Sequence, residues 1–573
     1  MRGSGDGMME VVFYFDIGCP NSYVASHRVS RWMRDLPAGC VSVRWVPVLQ
    51  ESLAHLNRVP EDGKNVPGSV PGAPPFSQGH PRRGQAALDV CLECARHGVL
   101  LDAGRLSGVL LPTADGGAVA PDAALSQGSL DAMRLLAAAK TSAADDLGVV
   151  RRLAKALFKV RWTSSSAEDL DPDHLAMLSA AFGVSGAFLS TRKTQSADAQ
   201  LEANAQAAFS VASAPGVPCF HLIGPGRGKS PIIFFGHDRL ALLDARIRAE
   251  LRGSVLPYPS PLLLDVSSAA ELVRRNRWSI GGQAPRVEFF LDLVSPWSYL
   301  AQDEILTHIS SLCRLLGITE GVTPRPVLLG ALFKQIGTQS VPGAKVDNVN
   351  LRRYGMGRDF SDWARHRGLH AKFKPNSKFP FKSSVANRVC CAEPKVCPAL
   401  FKAAWEQDVD LGDETAVERV LVSDAGFTPQ AAKDLVLRGK SDPELRRQLE
   451  ANTADAAKSG ICGAPALRIS GARGISQVWD ELTSQVPPLT GAHRAWRLDA
   501  QKFAGLEASR DRGAVTFWGN DRLDAFVWFL VSLARYNAAD GKGDGLALWD
   551  EQKLVHSFAV TSAAGEDMPL SRL

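Results

Sequence analysis

Two positions in the sequence place a reactive side chain directly before a proline at the expected start of a helix. They are Cys19, followed by Pro20, and Ser295, followed by Pro296. The free N–H groups and the dipole of a helix N-terminus stabilise negative charge. A thiol there is expected to have a lowered pKa and to act as a nucleophile, whereas a hydroxyl can donate a hydrogen bond to a ligand's thiolate. The alternative is that both residues only cap their helices.

A second feature is a pair of X-Pro bonds, Val217–Pro218 and Ala464–Pro465, each of which opens a predicted strand. A cis bond there would leave the backbone of Val217 or Ala464 able to pair with an extended ligand. The alternative is an ordinary trans proline at a strand edge. The sequence leaves both interpretations open.

A third feature is an aspartate that follows a glycine and one polar residue at the start of a late helix. It occurs as Gly236-His237-Asp238 and as Gly519-Asn520-Asp521. Helix N–H groups can bind a carboxylate and the aspartate can bind an ammonium group, a combination that suits an α-amino-acid head group. A plain helix N-cap is the alternative interpretation of each aspartate.

These features occur twice in the same order, so we interpret the chain as a tandem duplication. The shared segments are Phe13–Tyr23 with Phe289–Tyr299, Gln200–Asn204 with Gln448–Asn452, Gly216–Pro218 with Gly463–Pro465, and Phe234–Leu240 with Phe517–Leu523. The predicted boundaries are 9–253 for a first domain, 254–284 for a linker, 285–540 for a second domain with an insertion near 471–513, and 541–573 for a tail.

Each half has the hydrophobic pattern of an α/β domain. Apolar runs at Val11–Phe15 and Val287–Leu291 suit buried strands. Later in each half come a long stretch with helical spacing, two short strands and a final helix. This order predicts a βαβ unit and a ββα unit separated by an all-helical insertion.

Composition and charge exclude several protein classes. The chain has 573 residues, of which 45% are hydrophobic and 22% charged, as in soluble globular proteins. The net charge of +5 is spread along the chain, so no nucleic-acid-binding arm is expected. No apolar run reaches the roughly 18 residues of a membrane span. The ten cysteines lack regular spacing, which fits a reducing compartment, and we expect no metal site at 91–94 or 390–397.

The C-terminal tripeptide predicts a cellular location. Ser571-Arg572-Leu573 differs from the peroxisomal signal Ser-Lys-Leu only by arginine in place of lysine. A peroxisomal import receptor is therefore an expected partner, and a peroxisome or related organelle is the expected location. The mitochondrion and the cytosol are the alternatives.

Taken together, the shared segments resemble the kappa-class glutathione transferases and the similar 2-hydroxychromene-2-carboxylate isomerases, which have a DsbA-like thioredoxin fold. Phe290–Tyr299 matches the family motif F-Y-D-x-x-S-P-Y/W-S-Y/W almost position for position. Arg325–Lys334 and Phe379–Arg388 are similar to further family segments. The resemblance implies an α/β chain of two tandem thioredoxin-like domains, each with a helical insertion. It also implies glutathione as a cosubstrate or cofactor.

In the second domain the resemblance implies that Ser295 hydrogen-bonds the glutathione thiolate. The backbone of Ala464, before Pro465, would pair with the cysteinyl portion, and Asn520 and Asp521 would bind the γ-glutamyl head group. The remaining implied contacts are Trp297, Lys334 beside the substrate pocket, and Thr338, which stands where the family has asparagine.

The first domain departs from the family because Cys19 stands in place of the serine. Two adjacent thiolates repel each other, so Cys19 is not expected to hold the glutathione thiolate as a serine would. It would instead form a mixed disulfide with glutathione. Val217, Pro218, His237 and Asp238 would complete a glutathione site there. A decayed, purely structural first domain is the alternative.

The leading prediction is a glutathione-dependent transferase or isomerase that acts through Ser295 on a small electrophile or an aromatic substrate. The alternatives are a thiol-disulfide oxidoreductase that uses Cys19 and a non-catalytic scaffold. The two domains are expected to form a pseudo-dimer within one chain.

Overall fold

The computed structural model describes most of both domains. The described residues are 8–36, 39–57, 89–90, 92–94, 96–97, 99, 101, 123–142, 147–163, 170–184, 191–224, 231–253, 266–337, 348–478 and 513–538. Thr338, residues 479–512 of the predicted insertion, and the tail with Ser571–Leu573 lie outside them.

The first domain is built on one four-stranded sheet. Its strands are β1 (Met9–Phe15), β2 (Val41–Pro47), β3 (Cys219–Ile223) and β4 (Ile232–Phe235). Their order across the sheet is β2-β1-β3-β4, with β1 parallel to β2 and the other two pairs antiparallel. Phe13 of β1 lies opposite Trp45 of β2 and Phe220 of β3, and all three aromatic side chains are buried.

Helices surround this sheet and fill the predicted insertion between β2 and β3. They are α1 (Pro20–Asp35), α2 (Gln50–Asn57), α3 (Ala123–Ser142), α4 (Leu147–Thr163), α5 (Pro172–Ala181), α6 (Thr191–Ser210) and α7 (Leu240–Arg252). Helix α8 (Val266–Asn276) follows, inside the predicted linker.

The second domain repeats the sheet with the same topology. Its strands are β5 (Gly282–Leu291), β6 (Val322–Pro326), β7 (Ala466–Ala472) and β8 (Ala514–Trp518). They lie in the order β6-β5-β7-β8, again with one parallel and two antiparallel pairs. The repeated strand order confirms the predicted fold class of two α/β domains in tandem.

The helices of the second domain again lie mostly between the second and third strands. They are α9 (Pro296–Asp303), α10 (Ser310–Leu315), α11 (Leu329–Gln335), α12 (Val349–Arg353), α13 (Phe360–His366), α14 (Ser384–Ala392), α15 (Cys397–Glu406), α16 (Glu414–Ser423), α17 (Pro429–Ser441), α18 (Pro443–Lys458) and α19 (Leu523–Ala538). Helix α8 packs against α10 and α19 and so belongs to this domain's surface. None of the described helices is both long and apolar enough to cross a membrane.

The shared Gln-Leu-Glu-Ala-Asn segment fixes the end of the second strand in each domain. Asn204 donates from Nδ2 to the carbonyl of Pro47 at 2.9 Å, and Asn452 donates to the carbonyl of Pro326 at 3.1 Å. Both asparagines are buried. The long helix that carries each asparagine is thereby joined to the strand end beside the active turn.

Candidate active site

Ser295 connects the start of helix α9 to the loop before Pro465. Its Oγ accepts a hydrogen bond from the N–H of Ser298 at 3.2 Å and donates one to the carbonyl of Ala464 at 3.1 Å. The residue is 4% exposed. The structure therefore brings together the turn and the loop that the sequence had suggested separately.

A buried carboxylate holds this turn in place. Asp292 accepts from the N–H of Val294 at 3.2 Å, from the N–H of Leu329 at 2.9 Å and from the Asn387 amide at 2.8 Å. Burial raises the pKa of Asp292, although these donors oppose the rise. Asp292 thus ties the start of α11 and helix α14 to the turn that carries Ser295.

The first domain uses the equivalent residues in the same way. Asp16 accepts from the N–H groups of Gly18 and Gln50, both at 2.8 Å. Sequence reasoning had noted these aspartates in the repeat without giving them a role. Their position at the end of a buried strand, facing a turn, was the available signal.

A tryptophan donates a hydrogen bond to the backbone of each turn. The indole of Trp162 donates to the carbonyl of Ile17, and that of Trp405 donates to the carbonyl of Leu293, both at 2.9 Å. Each tryptophan stands three residues after an Ala-Leu-Phe-Lys run, at 156–159 and 399–402. This further shared segment was missed in the sequence, and it fixes the residue directly after the aspartate.

Cys19 occupies the position of Ser295 in the first domain, but its surroundings differ from those expected of a nucleophile. Its Sγ donates to the carbonyl of Val217 at 3.6 Å, and the residue is 6% exposed. Burial raises the pKa of the Cys19 thiol to about 11, against smaller lowering effects of Ser22 and Asn21. The prediction of a lowered pKa was wrong because the loss of water around the thiolate outweighs the helix N-terminus.

The two X-Pro bonds are both cis, at Val217–Pro218 and Ala464–Pro465. The two loops differ in exposure, since Val217 is 7% exposed whereas Ala464 is partly exposed. The residue before the cis-proline is therefore covered in the first domain and partly exposed in the second.

Each cis-proline loop is bonded to the glycine that precedes the late aspartate. The carbonyl of Pro218 accepts from the N–H of Gly236 at 2.9 Å, and that of Pro465 accepts from the N–H of Gly519 at 3.0 Å. Gly519 has a φ of 107°, and a Cβ there would lie 2.4 Å from Oδ1 of Asp521. Only glycine fits this position, which explains its presence in both motifs.

The two late aspartates meet at the boundary between the domains. Arg239 donates to Asp238 at 2.7 Å and also contacts Asp521 of the second domain. Arg522 donates in return to Asp238 of the first domain at 2.5 Å. Burial alone would raise the pKa of Asp238, but Arg239 and Arg522 outweigh burial and hold it well below its usual range. These four residues form what we call the crossed cluster.

Two further aspartates extend the crossed cluster symmetrically. Arg239 bonds Asp359 of the second domain at 2.8 Å, and Arg522 pairs with Asp89 of the first domain at 3.2 Å. Asp89 and Asp359 each precede an Ala-Arg-His run, at 95–97 and 364–366. This equivalence was missed in the sequence because the segments between it and the other shared segments differ in length.

The other predicted site residues lie in different surroundings. His237 is buried, with Nδ1 3.3 Å from Nη1 of Arg28, and burial lowers its pKa to about 3. Asn520 is 4% exposed, and neither of its amide atoms has a hydrogen-bond partner among the described residues. Trp297 packs edge-on against Phe360 at 5.3 Å.

Two further expectations concern α11 and metal ions. Lys334 lies exposed on α11, the helix whose first N–H bonds Asp292. Within the described ranges, no group of three or more His, Cys, Asp or Glu residues is arranged to hold a metal ion.

Comparison with known proteins assigns the fold to a family. The family model of the DSBA-like thioredoxin domain matches residues 117–248 and 286–487, together more than half of the chain. The chain belongs to the DSBA-like thioredoxin domain family. The first matched segment begins after β2 and ends within α7 of the first domain, and the second begins within β5 and ends after β7 of the second domain.

Other comparisons give the following matches. A solved structure of selenomethionine 2-hydroxychromene-2-carboxylate isomerase is 18% identical to this DSBA-like chain. Its alignment covers 44% of this chain and 98% of that chain, with a TM-score of 0.30. Among curated proteins, none matches the chain.

Proposed function

We propose that the second domain binds glutathione and that Ser295 holds its thiolate, in an enzyme of the transferase or isomerase type. The observation that carries this proposal is the hydrogen bond between Ser295 and the carbonyl of Ala464. It places a hydroxyl donor at a helix N-terminus, beside the partly exposed residue that precedes a cis-proline. The hydroxyl would serve the thiolate of a small peptide thiol, and the backbone before the proline would serve its peptide groups.

The buried polar groups near the turn fit such a ligand. Both amide atoms of Asn520 lack a partner among the described residues, and buried amides normally have one. An α-amino-acid head group offers an ammonium and a carboxylate that could satisfy both atoms. Asn520 and the neighbouring Asp521 would therefore bind the head group, and the backbone at Ala464 would bind the cysteinyl portion.

Bound glutathione would supply the sulfur nucleophile. Ser295 would donate its hydroxyl hydrogen to the thiolate, exchanging the carbonyl of Ala464 for the stronger, charged acceptor. The N–H groups at the start of α9 favour the same negative charge. Lys334 and Trp297 would line the neighbouring space for the electrophile or aromatic substrate.

The crossed cluster supports a second part of the proposal, that the two domains form a pseudo-dimer. Each domain supplies the same aspartate–arginine pair, and each arginine contacts the other domain's aspartate. An exchange of identical groups is the arrangement of a two-fold symmetric interface.

Calorimetric titration of glutathione into the purified chain tests the proposal. We expect binding that weakens about 10- to 100-fold in Ser295→Ala, since a hydrogen bond to a charged group is worth about 1.5–3 kcal/mol. Cys19→Ala is the matched control and should bind like the wild type. Absence of binding in the wild type would remove the glutathione assignment, and weakening only in Cys19→Ala would move the site to the first domain.

A further inference from the structure

A short segment of the second domain packs against the first domain beside its cis-proline loop. This segment, Asn348–Asp359, contains α12 and the turn that follows it; we call it the bridging segment. Three of its side chains donate to carbonyls of the first domain. These bonds are Asn348 to Pro215 at 2.7 Å, Asn350 to Phe209 at 3.4 Å and to Ala214 at 3.5 Å, and Arg358 to Pro231 at 3.3 Å.

Tyr354 is a buried aromatic residue of the bridging segment. It is 4% exposed, and its hydroxyl accepts the N–H of Phe235 on the edge strand β4 at 2.9 Å. The same hydroxyl donates to Asp359 at 3.3 Å. Its ring belongs to the buried apolar cluster that also contains Cys19 and Val217. The second domain thus contributes a side chain to the apolar cluster that contains the first domain's thiol.

The bridging segment also contacts the end of helix α2 in the first domain. The N–H of Asn350 donates to Oδ1 of Asn57 at 3.4 Å, and Asn57 in turn donates to the carbonyl of Ala214 at 3.2 Å. The segment therefore bonds to all three elements that border the space between α2, the cis-proline loop and β4, which we call the groove of the first domain.

The cis-proline loops of the two domains are covered to different degrees. The partial exposure of Ala464 and the burial of Val217 agree with one open and one closed groove.

We propose that the bridging segment, through Tyr354, closes the ligand groove of the first domain and masks the Cys19 thiol. The chain then binds one tripeptide thiol, in the second domain, and a second only when the segment withdraws. The masking of Cys19 stands on its own; the binding stoichiometry rests on the function proposed above.

Thiol labelling tests the masking directly. The chain is treated with N-ethylmaleimide, and the modification rate of each cysteine is read by mass spectrometry of its peptides. Cys40, which is partly exposed, and Cys313, which is buried in the second domain, serve as internal references. In the wild type Cys19 should react at the slow rate of Cys313.

In Tyr354→Gly, which removes the ring and the hydroxyl together, Cys19 should react at least tenfold faster while Cys313 is unchanged. Tyr354→Phe keeps the ring and should leave most of the protection. If the modification rate of Cys313 rises equally in Tyr354→Gly, the fold has loosened. The rates of Cys19 and Cys313 are then compared in the double variant Asn348→Ala/Asn350→Ala instead.

Two results would overturn the masking: a wild-type Cys19 that reacts as fast as Cys40, or a Cys19 whose rate does not change in a folded Tyr354→Gly or in the asparagine double variant. Calorimetry with glutathione should give one site in the wild type and two in Tyr354→Gly. No binding in either protein would refute the proposed function. The masking would still be tested by the labelling result alone.

Discussion

At the scale of single residues, burial has different chemical consequences at equivalent positions of the two domains. Cys19 and Ser295 both begin a helix, and both bond the carbonyl before a cis-proline. A hydroxyl needs no ionisation to donate a hydrogen bond, so burial does not disable Ser295. A thiol must lose its proton to react, and burial opposes that loss at Cys19.

The raised pKa of Cys19, about 11, predicts how its reactivity changes with pH. Only the thiolate reacts, so its alkylation rate should rise about tenfold for each pH unit between about pH 7 and pH 9. The rate at Cys19 can be followed by mass spectrometry of its peptide across this pH range. A rate that levels off near neutral pH would instead show an activated thiol.

At the scale of secondary-structure elements, each site is assembled from a strand end, a helix start and two loops that are distant in the sequence. Strands β3 and β4 confirm the two short strands that the sequence predicts late in the first domain, because short apolar runs flanked by glycine or proline leave little freedom. The cis state of Pro218 and Pro465 could not be decided from sequence, since it depends on the packing of the neighbouring turn.

The burial of Cys19 was likewise not predictable from local pattern. In our proposal it depends on a segment of the other domain that is more than 300 residues away in sequence. The crossed cluster could not be predicted for the same reason. Nothing in a single motif indicates which arginine of the other domain will contact its aspartate. Sequence reasoning thus found the parts of each site and missed the contacts between domains.

Replacing the glycine before the late aspartate should disturb the second domain's site. In Gly519→Ala the new Cβ would lie 2.4 Å from Oδ1 of Asp521, at a φ of 107° that alanine disfavours. We expect a loss of about 1–3 kcal/mol in the free energy of unfolding. Gly330→Ala in α11 is the control, because a Cβ there meets nothing within 4 Å. Equal stability of the two variants in denaturant titration would argue against the positive φ of Gly519 and its close approach to Asp521.

At the scale of the whole molecule, the two domains are joined by buried charges as well as by apolar packing. The crossed cluster places two arginines among four aspartates, and the largest apolar cluster contains residues of both domains. A buried ion pair adds little net stability when complete, but removal of one partner leaves an uncompensated charge. The domains are therefore expected to unfold together.

Removal of one arginine tests this coupling. Arg522→Gln leaves Asp238 and Asp89 without their partner from the second domain, and we expect a loss of about 3–5 kcal/mol in the free energy of unfolding. Arg447→Gln, which removes an exposed pair with Glu444, is the matched control and should leave the free energy of unfolding close to the wild-type value. Two separate unfolding transitions in the wild type, or equal stability of the two variants, would contradict the coupling.

The central claim is that Ser295 holds a glutathione thiolate, and the ionisation of bound glutathione tests it most directly. The ultraviolet absorbance of the thiolate, followed against pH with saturating protein, gives the thiol pKa of the bound ligand. We predict a pKa at least one unit below the value of about 8.5 for an ordinary thiol. In Ser295→Ala it should return toward that value, while Cys19→Ala should behave like the wild type. A bound thiol with an ordinary pKa in the wild type, or one that is lowered equally in Ser295→Ala, would contradict the account.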